Sequence, residues 1–291
     1  MINKILEYYR SLVDERIDKL FPKMDTGYKK VIEAARYSIL NGGKRIRPVI
    51  MMEFCKLCGG NEKDALDFAV ALEMIHTYSL IHDDLPCMDN DDMRRGKPSC
   101  HKAYGEDTAL LAGDSLLTKA FSVAAASDVA DDRKIRAIKL LADLAGVNGM
   151  IGGQVMDLDF EQNKPDQKEL QVMYILKTGC LISAAAEIGC IIAGAEEETV
   201  NKAKSYALNV AIAFQIIDDI LDIVGDEKVL GKPVGSDSQN QKYTWVTLNG
   251  LENSKLKAES CTKEALGLLE SINGDTKVLQ ELTKYLLARN Y

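Results

Sequence analysis

Apolar residues recur at steps of three or four through almost the whole chain, and no convincing two-residue alternation competes with them. The run Ala203, Tyr206, Ala207, Val210, Ala213, Phe214, Ile217, Leu221 is representative of a helix with one buried face. Similar stripes cover roughly 28–40, 46–58, 63–82, 108–127, 133–151, 168–194, 254–271 and 275–288. The pattern predicts an all-α fold. Helix breakers fall at Asn41-Gly42-Gly43, Gly59-Gly60, Pro86, Gly96 to Pro98, Gly152-Gly153, Pro165 and Gly225 to Gly235. No repeat, low-complexity tract or linker divides the 291 residues, so a single domain over 1–291 is expected. In such a bundle, functional groups project inward from facing helices, so chemistry is sought where polar residues interrupt apolar helices.

A content of 46 % hydrophobic and 27 % charged residues excludes a disordered chain. The net charge of −8 argues against nucleic-acid binding, which needs surplus Lys and Arg. A small anionic substrate would need a local cluster of cations, or metal ions between its phosphates and protein carboxylates. The segment Met1 to Leu20 is interrupted by Lys4, Glu7, Arg10, Asp14, Glu15 and Arg16 and reads as an amphipathic helix, not a signal or an anchor. The apolar stretch Cys180 to Ala195 carries Glu187 and falls short of the roughly 20 residues that span a bilayer, so no membrane span is expected. Seven scattered cysteines fit a reduced, cytoplasmic setting. Cys55 and Cys58 form a lone C-x-x-C without a second pair or a nearby His, and read as core thiols.

Three constellations carry chemistry. The first is Asp218, Asp219 and Asp222, three carboxylates among isoleucines and leucines in FQIIDDILD. Asp218 and Asp222 lie about 40° apart around a helix and about 6 Å along it, close enough to reach one object. Carboxylates so placed repel unless a cation compensates, and magnesium, which takes one or two carboxylates plus phosphate oxygens, suits the sparse set. Read alone, the same acids also fit a solvated helix end. The second is HDDLPCMDNDDMRRG, with Asp83, Asp84, Asp89, Asp91 and Asp92 followed by Arg94 and Arg95. Asp83 and Asp89 are about 240° apart on an unbroken helix, so a bend near Pro86 must intervene before they can converge. Each arginine can fork onto diphosphate oxygens, although a lone pair of this kind also reads as exposed loop charge. The third is GGKRIRP, a glycine turn leading into a helix with Lys44, Arg45 and Arg47, which favours an anion site in a chain of net charge −8.

Together these segments resemble the trans-isoprenyl diphosphate synthases, specifically farnesyl diphosphate synthases of the bacterial type. GGKRIRP, EMIHTYSLIHDDLPCMDNDDMRRGKPSCH, LLAGDSLLT, GGQVMDL, KTG, FQIIDDILDIVGD and GKPVGSD occur in that family's order and spacing. The resemblance implies the isoprenoid synthase fold, one large helical bundle around a central active-site cavity. It implies condensation of isopentenyl diphosphate with dimethylallyl and then geranyl diphosphate, assisted by three magnesium ions, in a homodimer. Helical apolar faces more numerous than one core hides point the same way on the dimer. By the same resemblance Asp83 and Asp89 would hold metal with Asp84 in support. Asp218 would head the second motif, with Asp219 in the catalytic set and Asp222 acting more indirectly. Lys44, Arg47, His76 and Arg95 match isopentenyl diphosphate contacts. Arg94, Lys177, Thr178, Gln215, Lys232 and Lys242 match contacts around the allylic substrate, and Gly179 would permit a helix distortion that frees the Lys177 carbonyl. Asn90 stands where many relatives carry another Asp, outside the DDxxxxD set.

The resemblance also implies how product length is set. Tyr78 lies five residues before Asp83, about 7.5 Å of helix rise, where a lengthening tail would arrive. In the resembling enzymes an aromatic residue here accompanies a fifteen-carbon product, and Ser79 is too small to replace it as a block. Alone, Tyr78 reads as a core tyrosine and His76 as a core histidine. The rival readings are a geranylgeranyl diphosphate synthase, a terpene cyclase, which normally lacks the paired arginines, and a noncatalytic subunit, which should have lost one aspartate motif.

Overall fold

Residues 2–22, 25–224 and 243–287 are described by a computed structural model. Among them the chain is helical apart from loops and one two-residue hairpin, β1 (Met93–Arg94) against β2 (Lys97–Pro98). The most apolar segment forms the centre: in α10 (Cys180–Ala193) every residue from Cys180 to Ile192 is buried. Around it pack α3 (Ile46–Leu57), α4 (Leu66–Asp83), α7 (Asp131–Ala145) and α11 (Glu197–Val224). α6 (Glu106–Ala125) lies against α4, and α13 (Leu251–Glu270) lies against α11. Outside these, α1 (Ile2–Leu20) buries only its stripe Leu6, Tyr9, Val13 and Ile17, each worth about 1.5–3 kcal/mol of transfer free energy. Its polar side is fastened by Arg16 to Asp67, 2.6 Å.

One expected break comes out differently. The stripe 133–151 divides into α7 and α8 (Met150–Phe160), so the chain turns at 146–149, and Gly152-Gly153 lies inside α8. The glycine pair serves close packing there and not a turn. The stripe 168–194 is, as expected, one continuous helical run, made of α9 (Gln167–Tyr174), a π-turn (Ile175–Gly179) and α10. That run, Gln167–Ala193, is long and apolar enough to cross a membrane, contrary to the length argument from 180–195. Its most apolar window is 78 % buried inside the protein, which is the position of a core helix. The run begins after Pro165 with a capping box: Asp166 accepts from the backbone N–H of Lys168 and Glu169, and the Glu169 carboxylate accepts from the Asp166 N–H. The breakers between Gly225 and Gly235 lie outside the described residues.

Candidate active site

The end of α4 shows how a six-residue spacing converges. Beyond Asp83 the chain folds back on itself, with Met88 N–H donating to the Leu85 carbonyl at 2.8 Å and Asp89 N–H donating to the Asp83 carbonyl at 2.9 Å. Asn90 closes the loop in the left-handed region, φ +53°, which Asn tolerates better than most residues. Asp89 therefore returns beside Asp83. Asp83 Oδ1 accepts from Gln154 Nε2 of α8 at 2.6 Å. Burial pushes the Asp83 carboxyl up to about 6, Lys177 opposes that rise and the neighbouring Asp89 charge adds to it.

The two arginines that follow are separated by the hairpin. Its turn residues Arg95 (φ +53°) and Gly96 (φ +75°) both adopt positive φ, the requirement of a type I′ connection. Arg94 turns inward: its Nε donates to Asp84 Oδ1 at 3.0 Å and its Nη2 to Asp91 Oδ2 at 3.1 Å. Asp84, only 2 % exposed, is thus engaged as a buried brace for the loop that carries Asp83 and Asp89. Arg95 instead reaches the glycine turn, Nη1 donating to the Gly42 carbonyl at 2.9 Å. A Cβ at Gly43 would lie 2.9 Å from that same nitrogen, so glycine leaves the guanidinium its place.

Of the three cations in GGKRIRP, Arg45 does not serve an anion. It is buried in the left-handed conformation, φ +51°. Its guanidinium donates to Asp14 Oδ1 (2.9 Å), Glu73 Oε1 (2.7 Å) and the Ile39 carbonyl (2.6 Å). Lys44 is exposed, with Nζ 4.7 Å from the ring centre of Tyr285 on α14 (Lys277–Leu287). Arg47 faces the cavity, and its buried Nε has no hydrogen-bond partner. His76 lies beside it. Burial, and then the charges of Arg47, Arg95, Arg45 and Arg94, hold the imidazole well below its usual range, so it is neutral at pH 7. An anion bound here would satisfy Arg47 and relieve the repulsion among the guanidiniums.

The opposite wall is built by α8, the π-turn and α11. A Cβ on Gly153 would fall 2.1 Å from the Lys177 backbone nitrogen, so the glycine of α8 allows helix and π-turn to meet backbone to backbone. Lys177 Nζ donates to Asp157 Oδ2 at 2.5 Å, and Thr178 Oγ1 to Gln215 Oε1 at 3.3 Å. The distortion expected at Gly179 is this π-turn, which is its last residue. Asp218, half-buried, lies three residues after Gln215 and on a similar helix face. Asp219 faces elsewhere: its Oδ2 accepts from the Tyr174 hydroxyl at 2.5 Å and from the Trp245 N–H at 2.8 Å, joining α9, α11 and α12 (Trp245–Asn249). Those bonds brace the three elements against one another. Asp222 is 2 % exposed. Lys232 and Lys242 lie outside the described residues. Gln154 and Asp157, which orient Asp83 and Lys177, were not singled out from the sequence. Their signal is two polar residues three apart in the apolar helix MIGGQVMDL.

These walls enclose a cavity of about 580 Å³. Arg47, His76, Asp83 and Lys177 form its polar part, and Leu117, Met150, Leu158 and Leu181 line it with hydrocarbon. Tyr78 also lines it, 6 % exposed, with a buried hydroxyl that has no hydrogen-bond partner. Its ring meets His82 edge-on at 5.6 Å. His82 is held against α6, Nε2 lying 3.0 Å from the Leu110 carbonyl, where a Cβ on Gly113 would come within 2.1 Å of that nitrogen. Ser79 donates from Oγ to the His76 carbonyl at 2.9 Å. Among the described residues no three His, Cys, Asp or Glu side chains converge tightly enough to hold a metal ion alone. Paired Asp83 and Asp89, hard oxygen donors with one carboxylate destabilised by burial, fit a divalent cation whose remaining ligands come from water and phosphate.

A model of the polyprenyl synthetase family matches residues 28–286. The farnesyl diphosphate synthase of Bacillus subtilis is 40 % identical over 99 % of this chain and 96 % of its own length. The geranylgeranyl diphosphate synthase of Cyanophora paradoxa is 41 % identical over 97 % and 94 %. A crystal structure of an FPP/GFPP synthase from Zymomonas mobilis superposes with a TM-score of 0.89 at 32 % identity, covering 98 % of each chain. An all-α chain with this cavity, this loop of aspartates and these relatives belongs to the polyprenyl synthetase family, as a short-chain trans-prenyl diphosphate synthase.

Proposed function

We propose that this chain makes farnesyl diphosphate, adding isopentenyl diphosphate head to tail to dimethylallyl and then geranyl diphosphate. The observation that carries the fifteen-carbon product is Tyr78, a buried ring with an unsatisfied hydroxyl lining the cavity within two helical turns of Asp83. A tail that gains five carbons must displace it, and a packed wall resists such overpacking by about 1–3 kcal/mol. Geranylgeranyl diphosphate synthesis is the second reading, favoured by the names of several relatives.

Asp83, Asp89 and Asp218 would hold the family's three magnesium ions, which supply charge neutralisation on the departing diphosphate. Lys177 and Arg94 add cations on the allylic side, lowering the barrier to breaking the allylic C–O bond. The Lys177 carbonyl, the Thr178 hydroxyl and the Gln215 amide oxygen offer lone pairs to the allylic cation. Arg47, Arg95 and neutral His76 seat isopentenyl diphosphate so that its double bond faces that cation, with Lys44 approaching from the rim. The released diphosphate takes the final proton.

The reading includes a homodimer and a cytoplasmic setting. Leu110 and Leu111 of α6 and Ile151 and Val155 of α8 are exposed apolar residues beside the cavity, a face a second copy would cover. All seven cysteines are free thiols, which suits a reducing compartment. Light scattering should give twice 32.1 kDa. The deciding experiment incubates the protein with magnesium, isopentenyl diphosphate and dimethylallyl diphosphate, and measures the carbon number of the extracted alcohols. Fifteen carbons from wild type and a shift toward twenty from Tyr78→Ala are expected. Mainly twenty carbons from wild type would overturn the farnesyl product.

A further inference from the structure

Cys58, half of the C-x-x-C, has its neighbour elsewhere in the chain. Its Sγ lies 3.6 Å from Sγ of Cys190, 132 residues away. Cys58 follows the last residue of α3, and Cys190 sits near the end of α10. At this level the helices touch backbone to backbone: a Cβ on Gly189 would lie 2.3 Å from the Met51 carbonyl oxygen and 3.1 Å from the Cys55 nitrogen. Such an approach is what bridging two helices by a disulfide requires. The sulfurs differ in access, Cys190 fully buried and Cys58 half-buried. The hydrogen bond shared with Cys190 holds the Cys58 thiol below its usual range, whereas burial pushes the nearby Cys55 thiol up to about 12.

We propose that Cys58 and Cys190 form a two-electron oxidation site that takes a hydroperoxide and closes to a disulfide joining α3 to α10. The Cys58 thiolate attacks the outer peroxide oxygen, the O–O bond breaks, and the departing alkoxide takes the proton that Cys58 gave up. Cys58 is then a sulfenic acid. The Cys190 sulfur attacks the Cys58 sulfur, the S–O bond breaks, and hydroxide leaves with the Cys190 proton as water. Two thiols and one hydroperoxide give one disulfide, one alcohol and one water. Because α3 carries Arg47 in its first turn and α10 follows the π-turn of Lys177, the bond fastens the far ends of two helices that frame the cavity.

The test oxidises reduced full-length protein with hydrogen peroxide, alkylates it under denaturing conditions and maps peptides without reduction. The expected result is a peptide pair linked through Cys58 and Cys190, with two alkylatable thiols lost and both restored by dithiothreitol. The oxidised protein should melt at a higher temperature than the reduced one. Cys55→Ser should keep the link and Cys58→Ser should lose it. Cys58 and Cys190 both remaining alkylated after exposed Cys87 has oxidised would overturn the proposal, as would a link between Cys55 and Cys58.

Discussion

Asp83 and Asp89 are brought together by a loop that folds back under its own backbone hydrogen bonds, whereas Asp218 and Asp222 sit on one unbroken helix. Yet the two motifs divide their labour alike. Each contains an adjacent pair, and in each the first aspartate is only partly buried while the second is buried against a fixed partner. Asp84 holds Arg94, and Asp219 holds Tyr174 and the start of α12. Adjacent helical residues point about 100° apart, so two neighbouring acids cannot serve one metal equally well. The pair is better understood as one group for the substrate and one that anchors the segment presenting it. Arg94 and Arg95 also part company at the hairpin, Arg94 turning to Asp84 and Arg95, in the turn, reaching the Gly42 carbonyl.

The sharpest way to break this comparison is to truncate each half of each pair. Asp83→Ala and Asp218→Ala should lower kcat by about 10²–10³-fold or more with no loss of helicity and no fall in urea midpoint, since each removes charge from the site and no core packing. Asp219→Ala should cost about 2–3 kcal/mol in urea unfolding, because it strips partners from a buried hydroxyl and a buried N–H. Asp84→Ala should cost less, about 1–2 kcal/mol, because Arg94 is 32 % exposed and can rehydrate. If Asp219→Ala kept full stability and lost turnover, the division would fail for the second motif.

A smaller effect separates Asp83 by charge alone. Its folded pKa of about 6 lies above the roughly 3.9 of an unfolded aspartate, so the folded chain binds the extra proton between about pH 4 and 6. Stability contributed by that proton is complete at low pH and is lost as pH rises through 6. Asp83→Asn should therefore be more stable than wild type above pH 6, by about 1–3 kcal/mol, and equal to it near pH 4. Urea midpoints across pH without divalent cations measure this. Magnesium should raise wild-type stability at pH 7 and raise that of Asp83→Asn less, because the variant keeps Asp89 and Asp218 but has lost one carboxylate.

Much of this was legible in the sequence, and what was missed has physical causes. Helical periodicity gave the architecture because each helix buries one face, and the charge clusters stood out against apolar neighbours. Gly152-Gly153 was misplaced as a turn, since a glycine chosen for backbone contact with Lys177 looks in sequence like one chosen for positive φ. Arg45 looked like a third anion ligand because the ion pairs that consume it come from Asp14 and Glu73, 31 and 28 residues away. Spacing alone does not separate Asp84 and Asp219 from Asp83 and Asp218, and only the resemblance ranks them, because the bonds to Arg94, Tyr174 and Trp245 form on folding. Cys58 and Cys190 meet across 132 residues, a distance at which pattern says nothing.

The finest probe concerns Arg95, the outward half of the arginine pair. Its backbone sits at φ +53° whatever the side chain, so Arg95→Lys changes the head group without changing the strain of the turn. The guanidinium donates to the Gly42 carbonyl from Nη1 at 2.9 Å and has further N–H groups with which to fork onto a diphosphate in the Arg47–His76 cluster. A lysine ammonium is a single point that cannot hold the carbonyl and grip two oxygens with the same planar geometry. The KM for isopentenyl diphosphate should rise about tenfold, about 1.4 kcal/mol, while kcat changes by less than about twofold. The KM for the allylic substrate should stay where it was, because the neighbouring Arg94 still faces Asp84. The mirror substitution, Arg94→Lys, should reverse the pattern by lowering the urea midpoint and weakening allylic binding. If Arg95→Lys raised both Michaelis constants equally, the two arginines would be serving one anion, and the division between adjacent charges would hold only for the acids.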